Sequence, residues 1–269
     1  MASRDASGRV ARPAYDEPMG WGTLRSASAS RPAPASTTTT RSGREPPLLR
    51  PLLRGPFRRA AVGLLAVCVA AAVVLGVHYA GQGQPGRLDS VIDPRIVSAF
   101  GPFPALLSRL PDLGTLGPVA LMTLALILAC LAARRWSGAV LAAVSVPVAI
   151  GLAEYALKPL AGRTIGHSLT YPSGHATTMF ALAAVCAVLL ADPPRRRLPD
   201  VARVALILVA LLLAAAVGAA MVALSSHYFT DVIGGAAVGT GVVLACALTL
   251  DPVTSRWRRA PAARPAPAG

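Results

Sequence analysis

Long apolar stretches alternate with short polar ones between about residues 60 and 250, and this pattern predicts a bundle of membrane-spanning helices. A helix needs about 20 apolar residues to cross the hydrocarbon core of a bilayer. Hydropathy and flanking charge predict six spans, at about 60–80, 116–133, 138–157, 174–191, 204–224 and 229–250. The predicted fold class is therefore all-α, a polytopic membrane helical bundle with six transmembrane helices.

The segments outside the bundle are polar. Residues 1–55 are rich in Ser, Thr, Arg, Pro and Ala, so they bury too little apolar surface to offset their ordering entropy, and we expect a disordered cytoplasmic tail. The membrane domain is expected at 56–252 and a short basic cytoplasmic tail at 253–269. Residues 92–110 mix apolar and charged side chains, and we expect them to lie along the membrane surface, interrupted by Pro102 and Pro104.

The charge distribution sets the topology. The chain is 54% hydrophobic and carries a formal net charge of +14. The whole excess lies in segments that fall on one side of a six-span bundle, namely 1–59, 134–135, 192–203 and 251–269. The positive-inside rule therefore predicts that both termini are cytoplasmic in a multi-pass protein of the cell membrane. No basic patch with interleaved aromatic residues is present, so we expect contacts with membrane lipids rather than with nucleic acid.

The same topology brings several polar motifs to the outer ends of the spans, where ionisable groups are costly and usually functional. His227 and Asp231 are four residues apart, a spacing that on a helix puts both on one face. Asp231 could then orient the imidazole and leave its other nitrogen free as a nucleophile. The alternative is an ordinary helix start with a capping aspartate.

Ser173, Gly174 and His175 open the fourth span. The first N–H groups of a helix lack internal partners and bind phosphate readily, Gly174 permits close approach, and His175 can donate a proton. The alternative is an ordinary serine N-cap. Lys158, the only lysine of the chain, and Arg163 could supply positive charge for an oxyanion. Lys158 could equally extend to the lipid headgroups or pair with Glu154, one turn earlier.

The order Lys158, Arg163, Pro172-Ser173-Gly174-His175 and His227-x-x-x-Asp231 resembles the type 2 phosphatidic acid phosphatase superfamily, which also includes the vanadium haloperoxidases. The resemblance covers about residues 116–250, and the six-span layout is similar to the family's membrane branch. It implies that His227 attacks phosphorus and forms a phosphohistidine, that Asp231 orients His227, and that His175 protonates the leaving oxygen. The phosphoryl oxygens would be held by Lys158, Arg163, Ser173 and Gly174.

The chain departs from the family pattern at two positions. The first family motif places Arg-Pro after a lysine and six residues, where this chain has Ile165 and Gly166. Arg163 is the expected substitute. The third motif carries an arginine six residues before the nucleophilic histidine, and that position is Met221. Since each missing donor to a transition-state oxyanion costs about 10²–10³ in rate, the alternative to an active enzyme is a weak or inactive lipid-phosphate-binding membrane protein.

The resemblance further implies a lipid phosphate substrate and hydrolysis without a metal or other cofactor. A metal site formed by His175, His227 and Asp231 is the competing interpretation, but Lys158 and Arg163 would repel a cation. A transporter is disfavoured because no inverted repeat with Gly/Pro-broken spans is visible. The four cysteines lie in apolar stretches without metal-ligand spacing, so we assign them no chemistry. The oligomeric state is left open.

Overall fold

The computed structural model describes residues 52–53, 55–191 and 198–259, and about 80% of this part of the chain is helical. The α-helices in chain order are α1 (Pro56–His78), α2 (Arg87–Phe100), α3 (Pro104–Arg109), α4 (Leu116–Ala132), α5 (Trp136–Gly151), α6 (Lys158–Ala161), α7 (Gly174–Ala191), α8 (Asp200–Ala223) and α9 (Phe229–Arg259). A 3₁₀ turn (Pro111–Gly114) precedes α4, and a π-helical turn (Leu152–Leu157) joins α5 to α6. Strands β1 (Thr164–Ile165) and β2 (Ser168–Leu169) pair antiparallel, with Thr164 opposite Leu169.

The spans agree with the hydropathy pattern. Within the described residues, five helical stretches are long and apolar enough to cross a membrane, and a sixth is formed if a pair bent by 61° counts as one span. The bent pair joins Pro104–Gly114 to Leu116–Ala132. The prediction of an all-α membrane bundle is therefore confirmed. The predicted tail at 1–55 lies almost wholly outside the described residues, whereas α9 continues as helix through 253–259 into the predicted C-terminal tail.

The most buried spans are α7 and α9, which pack against each other at the centre of the bundle. Their backbones approach closely where α9 carries Gly235 and Gly239. A Cβ at Gly235 would meet the carbonyl oxygen of Ser173 at 2.5 Å, and one at Gly239 would clash with the carbonyl of Thr177. Small residues at such crossings let membrane helices come into backbone contact. As a result the N-terminal ends of α7 and α9 lie side by side, joined by a hydrogen bond from the Ser173 N–H to the Asp231 carbonyl (3.0 Å).

The segment expected along the membrane surface at 92–110 is helical on both sides of the predicted interruption at Pro102 and Pro104. A helix, α2, begins earlier, at Arg87, and ends at Phe100, and a separate short helix, α3, follows Phe103. Asp89 fixes the start of α2, because its carboxylate accepts the N–H of Gly86 (3.0 Å) and so satisfies a free donor of the first turn. The helix α2 packs against α8 and α9, and this contact brings its carboxylates to the start of α9.

Candidate functional site

A pocket of about 370 Å³ lies at the end of the bundle where α7 begins and the π-helical turn ends. Twelve residues line it: Gly114, Thr115, Leu116, Val119, Ile150, Glu154, Lys158, Gly174, His175, Thr178, Met221 and His227. Four of the predicted site residues are among them, namely Lys158, Gly174, His175 and His227. Three segments that are distant in sequence therefore converge on one small cavity, and both candidate catalytic histidines face it.

His227 lies before α9 rather than on it, because the helix begins only at Phe229. The prediction that His227 and Asp231 lie on one face of a helix is therefore wrong for His227. The bend before the helix nevertheless brings His227 close to Asp231. The distance from His227 Nδ1 to Asp231 Oδ2 is 3.7 Å, which is too long for a hydrogen bond. His227 is buried, and its Nδ1 has no hydrogen-bond partner among the described residues. This nitrogen is therefore buried beside the carboxylate without a hydrogen bond to it.

Asp231 also serves as a helix cap, which was the alternative interpretation of this residue. Its Oδ2 accepts the N–H of Tyr228 at 3.0 Å, the free donor just before the first turn of α9. Its Oδ1 accepts a hydrogen bond from Arg163 Nη1 at 2.7 Å. Both carboxylate oxygens are thus held in place, which confirms the capping interpretation, whereas the orientation of His227 by Asp231 stays a prediction.

At the start of α7, Ser173 caps the helix and His175 packs closely on Gly114. The buried Ser173 hydroxyl accepts the N–H of Ala176 at 3.4 Å, as an N-cap does. Ser173 does not line the pocket, so its contact with phosphate stays a prediction. His175, one residue into the helix, faces the cavity and packs on Gly114, where a Cβ would come within 2.6 Å of the imidazole Cδ2.

Arg163 is not among the residues that line the pocket. The guanidinium is fully buried and donates three hydrogen bonds. Nη1 contacts the Thr230 hydroxyl and Asp231 Oδ1, each at 2.7 Å, and Nη2 contacts Asp89 Oδ2 at 2.6 Å. These partners occupy both terminal nitrogens, and Arg163 does not line the pocket, so its contact with phosphate stays a prediction.

Two tyrosine rings enclose the same guanidinium. Its carbon lies 4.1 Å from the ring centroid of Tyr79 and 4.3 Å from that of Tyr228. Cation–π contact of this kind stabilises an arginine that has left water. Arg163 therefore forms the centre of a buried cluster that connects α2, the loop after α6 and the start of α9.

Asp89 is the residue of this cluster that the sequence did not reveal. Besides Arg163, its carboxylate accepts the backbone N–H of Thr230 at 2.9 Å and the Thr230 hydroxyl at 3.1 Å. Burial favours the protonated carboxyl, but the hydrogen bonds from Thr230, Arg163 and Gly86 outweigh it and hold the pKa of Asp89 below its ordinary value. The carboxylate is therefore a charged cap for α9, the helix that carries Asp231.

Asp93 provides a second cap from α2, since it accepts the N–H of Phe229 at 3.0 Å. Burial raises the pKa of Asp93 to about 6, and the neighbouring carboxylates of Asp89 and Asp231 add to the increase. The folded protein consequently holds a proton on Asp93 more tightly than the unfolded chain does. Folding stability contributed by this group falls as the pH rises from about 4 to about 6 and stays low above that range.

We expect Asp93→Asn to raise the thermal stability of the purified protein at pH 7.5 and to reduce the loss of stability between pH 4.5 and 7.5. The amide oxygen can still accept the Phe229 N–H, whereas the repulsion between carboxylates is removed. Thermal unfolding in detergent at both pH values measures the effect. Asp112→Asn is the control, because its side chain is exposed. An unchanged pH dependence in Asp93→Asn would contradict the assignment.

Lys158 and Glu154 form an ion pair of 2.7 Å inside the pocket. Glu154 lies in the π-helical turn and Lys158 directly after it. Both side chains lie against Gly174, where a Cβ would clash with Glu154 Oε1 and come within 3.8 Å of Lys158 Nζ. The pairing was one of the alternatives for Lys158, and the structure shows it within the cavity that also holds the histidines.

The two positions that depart from the family pattern have different surroundings. Met221 lines the pocket, whereas Ile165 lies in β1 and does not. Among the described residues, no group of three or more His, Cys, Asp or Glu side chains is arranged to hold a metal ion.

Comparison with known protein families gives a match over part of the chain. The model of the PAP2 superfamily matches residues 153–254, a segment that begins in the π-helical turn and contains all of the predicted site residues. No curated protein and no solved structure matches the chain significantly. Asp89 and Asp93 lie outside the matched segment. The resemblance inferred from the motifs is confirmed over 153–254: this segment matches the PAP2 superfamily and is consistent with a type 2 phosphatidic acid phosphatase-like protein whose helices are long and apolar enough to span a membrane.

Proposed function

We propose that the protein hydrolyses a phosphate or diphosphate ester of a lipid, of the polyprenyl diphosphate or phosphatidate type. The observation that carries this proposal is an apolar groove of about 430 Å³ between α4 and α5. The groove and the polar pocket share Leu116, Val119 and Ile150 in their walls. A lipid phosphate likewise has a polar and an apolar part: its charged head suits the pocket and its apolar tail suits the groove. Burial of the tail is favourable.

The pocket offers the groups that phosphoryl transfer by a histidine requires. His227 would be the nucleophile, with Nδ1 held by Asp231 so that Nε2 is directed to phosphorus. The N-terminal end of α7, with Gly174 and Lys158 beside it, would hold the phosphoryl oxygens. His175 would be the general acid, because its imidazole faces the same cavity.

The proposed reaction has two steps. His227 Nε2 forms a bond to phosphorus while the bond from phosphorus to the ester oxygen breaks, and protonated His175 gives its proton to the leaving oxygen. A water molecule then attacks the phosphohistidine, gives a proton to His175, and releases inorganic phosphate and the histidine. The tautomer imposed by Asp231 requires that Nδ1 carry the proton throughout. No metal or other cofactor is part of the scheme.

The charge distribution supports an extracytoplasmic pocket. The pocket lies at the end of α7 that begins with Gly174, whereas Arg135 donates a hydrogen bond to the carbonyl of Leu189 at the other end (2.6 Å). Arg134 and Arg203 accompany Arg135 at that end in sequence. Because arginine-rich ends stay in the cytoplasm, we assign the pocket to the outer face of the cell membrane and both termini to the cytoplasm.

The test is phosphate release from phosphatidate and from a polyprenyl diphosphate by the purified full chain in detergent, with a chelator present. A water-soluble phosphate ester without a tail is the comparison substrate. We expect release from the lipids, at a lower KM than from the soluble ester, because the groove contributes apolar binding. Release from no lipid phosphate by a folded sample would contradict the proposal.

The second candidate is a lipid-phosphate-binding protein with weak or no hydrolysis. Met221 favours it, since this residue lines the pocket at a position where the family pattern has arginine. Lys158 favours it as well, because the ammonium group is already paired with Glu154. Under this alternative the wild type would bind lipid phosphate without releasing inorganic phosphate.

Met221→Arg separates the two candidates. If a missing cation limits turnover, we expect the arginine to raise phosphate release by about tenfold or more, because one donor to a transition-state oxyanion is worth about 10²–10³ in rate. Met221→Leu is the control, since it changes the side chain without adding charge. Met221 is buried, so thermal unfolding is measured on both variants. A folded Met221→Arg protein that releases phosphate no faster than the wild type would show that the lack of an arginine at this position does not limit turnover.

A further inference from the structure

Glu154 brings a negative charge into a pocket that is otherwise suited to an anion. Its carboxylate contacts Lys158 Nζ at 2.7 Å and lies against Gly174, the first residue of α7. The positions next to an ammonium group and next to a helix N-terminus are those that a phosphoryl oxygen would take. The carboxylate of Glu154 therefore occupies part of the site that an anion would take.

The pocket has little positive charge to offset that carboxylate. Lys158 is the one lysine or arginine among its lining residues, and Glu154 is its partner. Arg163 does not compensate, because its guanidinium is buried against Asp89 and Asp231 outside the lining. Apart from the protonation of the two histidines, the lining is close to neutral.

A near-neutral pocket with a fixed carboxylate discriminates between headgroups by their charge. Coulomb repulsion from Glu154 grows in proportion to the negative charge that the head carries. The Glu154 side chain is 35% exposed, so solvent screens part of this repulsion. A diphosphate carries more negative charge than a monophosphate and needs more cationic donors. The wild-type pocket should therefore disfavour the diphosphate.

We propose that Glu154 is a specificity-determining residue that makes the pocket select lipid monophosphates over lipid diphosphates. The consequence for substrates rests on the proposed phosphatase function, but the consequence for anion binding does not. A purely supporting function, in which Glu154 only orients Lys158, makes the opposite prediction: removing the carboxylate would then weaken anion binding.

The first measurement is the binding of inorganic phosphate and of pyrophosphate to the purified full chain at pH 7.5, by isothermal titration. We expect the wild type to bind phosphate more tightly than pyrophosphate. Glu154→Gln should bind both anions more tightly, with a gain of about tenfold or more for pyrophosphate and a smaller gain for phosphate. Asp112→Asn is the control, since it removes one exposed carboxylate outside the pocket lining and should change either affinity by less than about twofold.

Two results would overturn the proposal. One is the finding that the wild type binds pyrophosphate more tightly than phosphate, a measurement that requires no variant. The other is a folded Glu154→Gln protein that binds pyrophosphate no more tightly than the wild type does. The hydrolysis of phosphatidate and polyprenyl diphosphate is measured in parallel, and the ratio of kcat/KM for diphosphate to monophosphate should rise in Glu154→Gln. If the anions bind as expected but no lipid is hydrolysed, the proposed phosphatase function is wrong and the proposed selection by charge is supported.

Discussion

Replacing His227 with alanine should lower phosphate release by at least about a thousandfold, because the variant has no nitrogen to form the bond to phosphorus. Loss of a nucleophile removes most of the rate enhancement of enzymes that work through covalent intermediates. Lys158, Gly174 and His175 would remain in place, so binding of the substrate should change much less than kcat. The measurement is kcat and KM for the best lipid substrate, with the wild type purified and assayed in parallel.

His167→Ala is the matched control, since it removes an imidazole from an exposed position in the turn between β1 and β2. It should keep wild-type turnover. Labelled substrate supplies a second readout, because a phosphohistidine is stable in base and labile in acid and should be trapped on the wild type but not on His227→Ala. Turnover by His227→Ala within tenfold of the wild type would exclude His227 as the nucleophile.

The spans and the convergence of the motifs were predictable from sequence for simple physical reasons. The apolar stretches match the bilayer thickness, so the fourth predicted span and α7 both run from residue 174 to residue 191. A chain that crosses the membrane repeatedly has only two sides, so the parity of the spans brought Lys158, His175 and His227 to one end. That reasoning needs no knowledge of side-chain packing.

The partners of Arg163 could not be obtained in the same way. Its contacts with Asp89 and Asp231 join residues 74 and 68 positions away, and local pattern does not encode such pairs. The resemblance assigned Arg163 to phosphate, whereas the structure surrounds it with carboxylates and aromatic rings. One signal was present: Asp89 and Asp93 are four apart in a segment of mixed polarity, a spacing that puts two carboxylates on one helical face.

The position of His227 shows a second limit. Four residues separate it from Asp231, and this spacing fits a helical face, yet α9 starts between them at Phe229. The start of that helix is determined by caps from elsewhere, since Asp89 and Asp93 accept the N–H groups of Thr230 and Phe229. Hydropathy predicted the start of the sixth span at about 229, as observed, but the carboxylates of the distant segment that cap this start could not be read from the residues of the helix itself.

Asp89→Ala should destabilise the folded protein by about 3–5 kcal/mol, because it leaves the buried Arg163 guanidinium without one of its two carboxylates. The variant also removes the acceptor of the Thr230 N–H at the start of α9. For a chain of this size such a loss corresponds to a decrease in Tm on the order of 10 °C. Thermal unfolding in detergent measures it, with Asp112→Ala, at an exposed position, as the control.

Asp89→Asn separates the charge of this residue from its shape. The amide still has one oxygen to accept hydrogen bonds and Asp231 still balances the Arg163 charge, but Arg163 loses one of its two charged acceptors, so we expect a loss between those of Asp112→Ala and Asp89→Ala. The same variant should lower kcat more than it raises KM, because Arg163 also holds the Asp231 oxygen that faces away from His227. If Asp89→Ala were as stable as the wild type, the buried cluster around Arg163 would not stabilise the fold. It would then also be wrong that α2 helps to position the nucleophile.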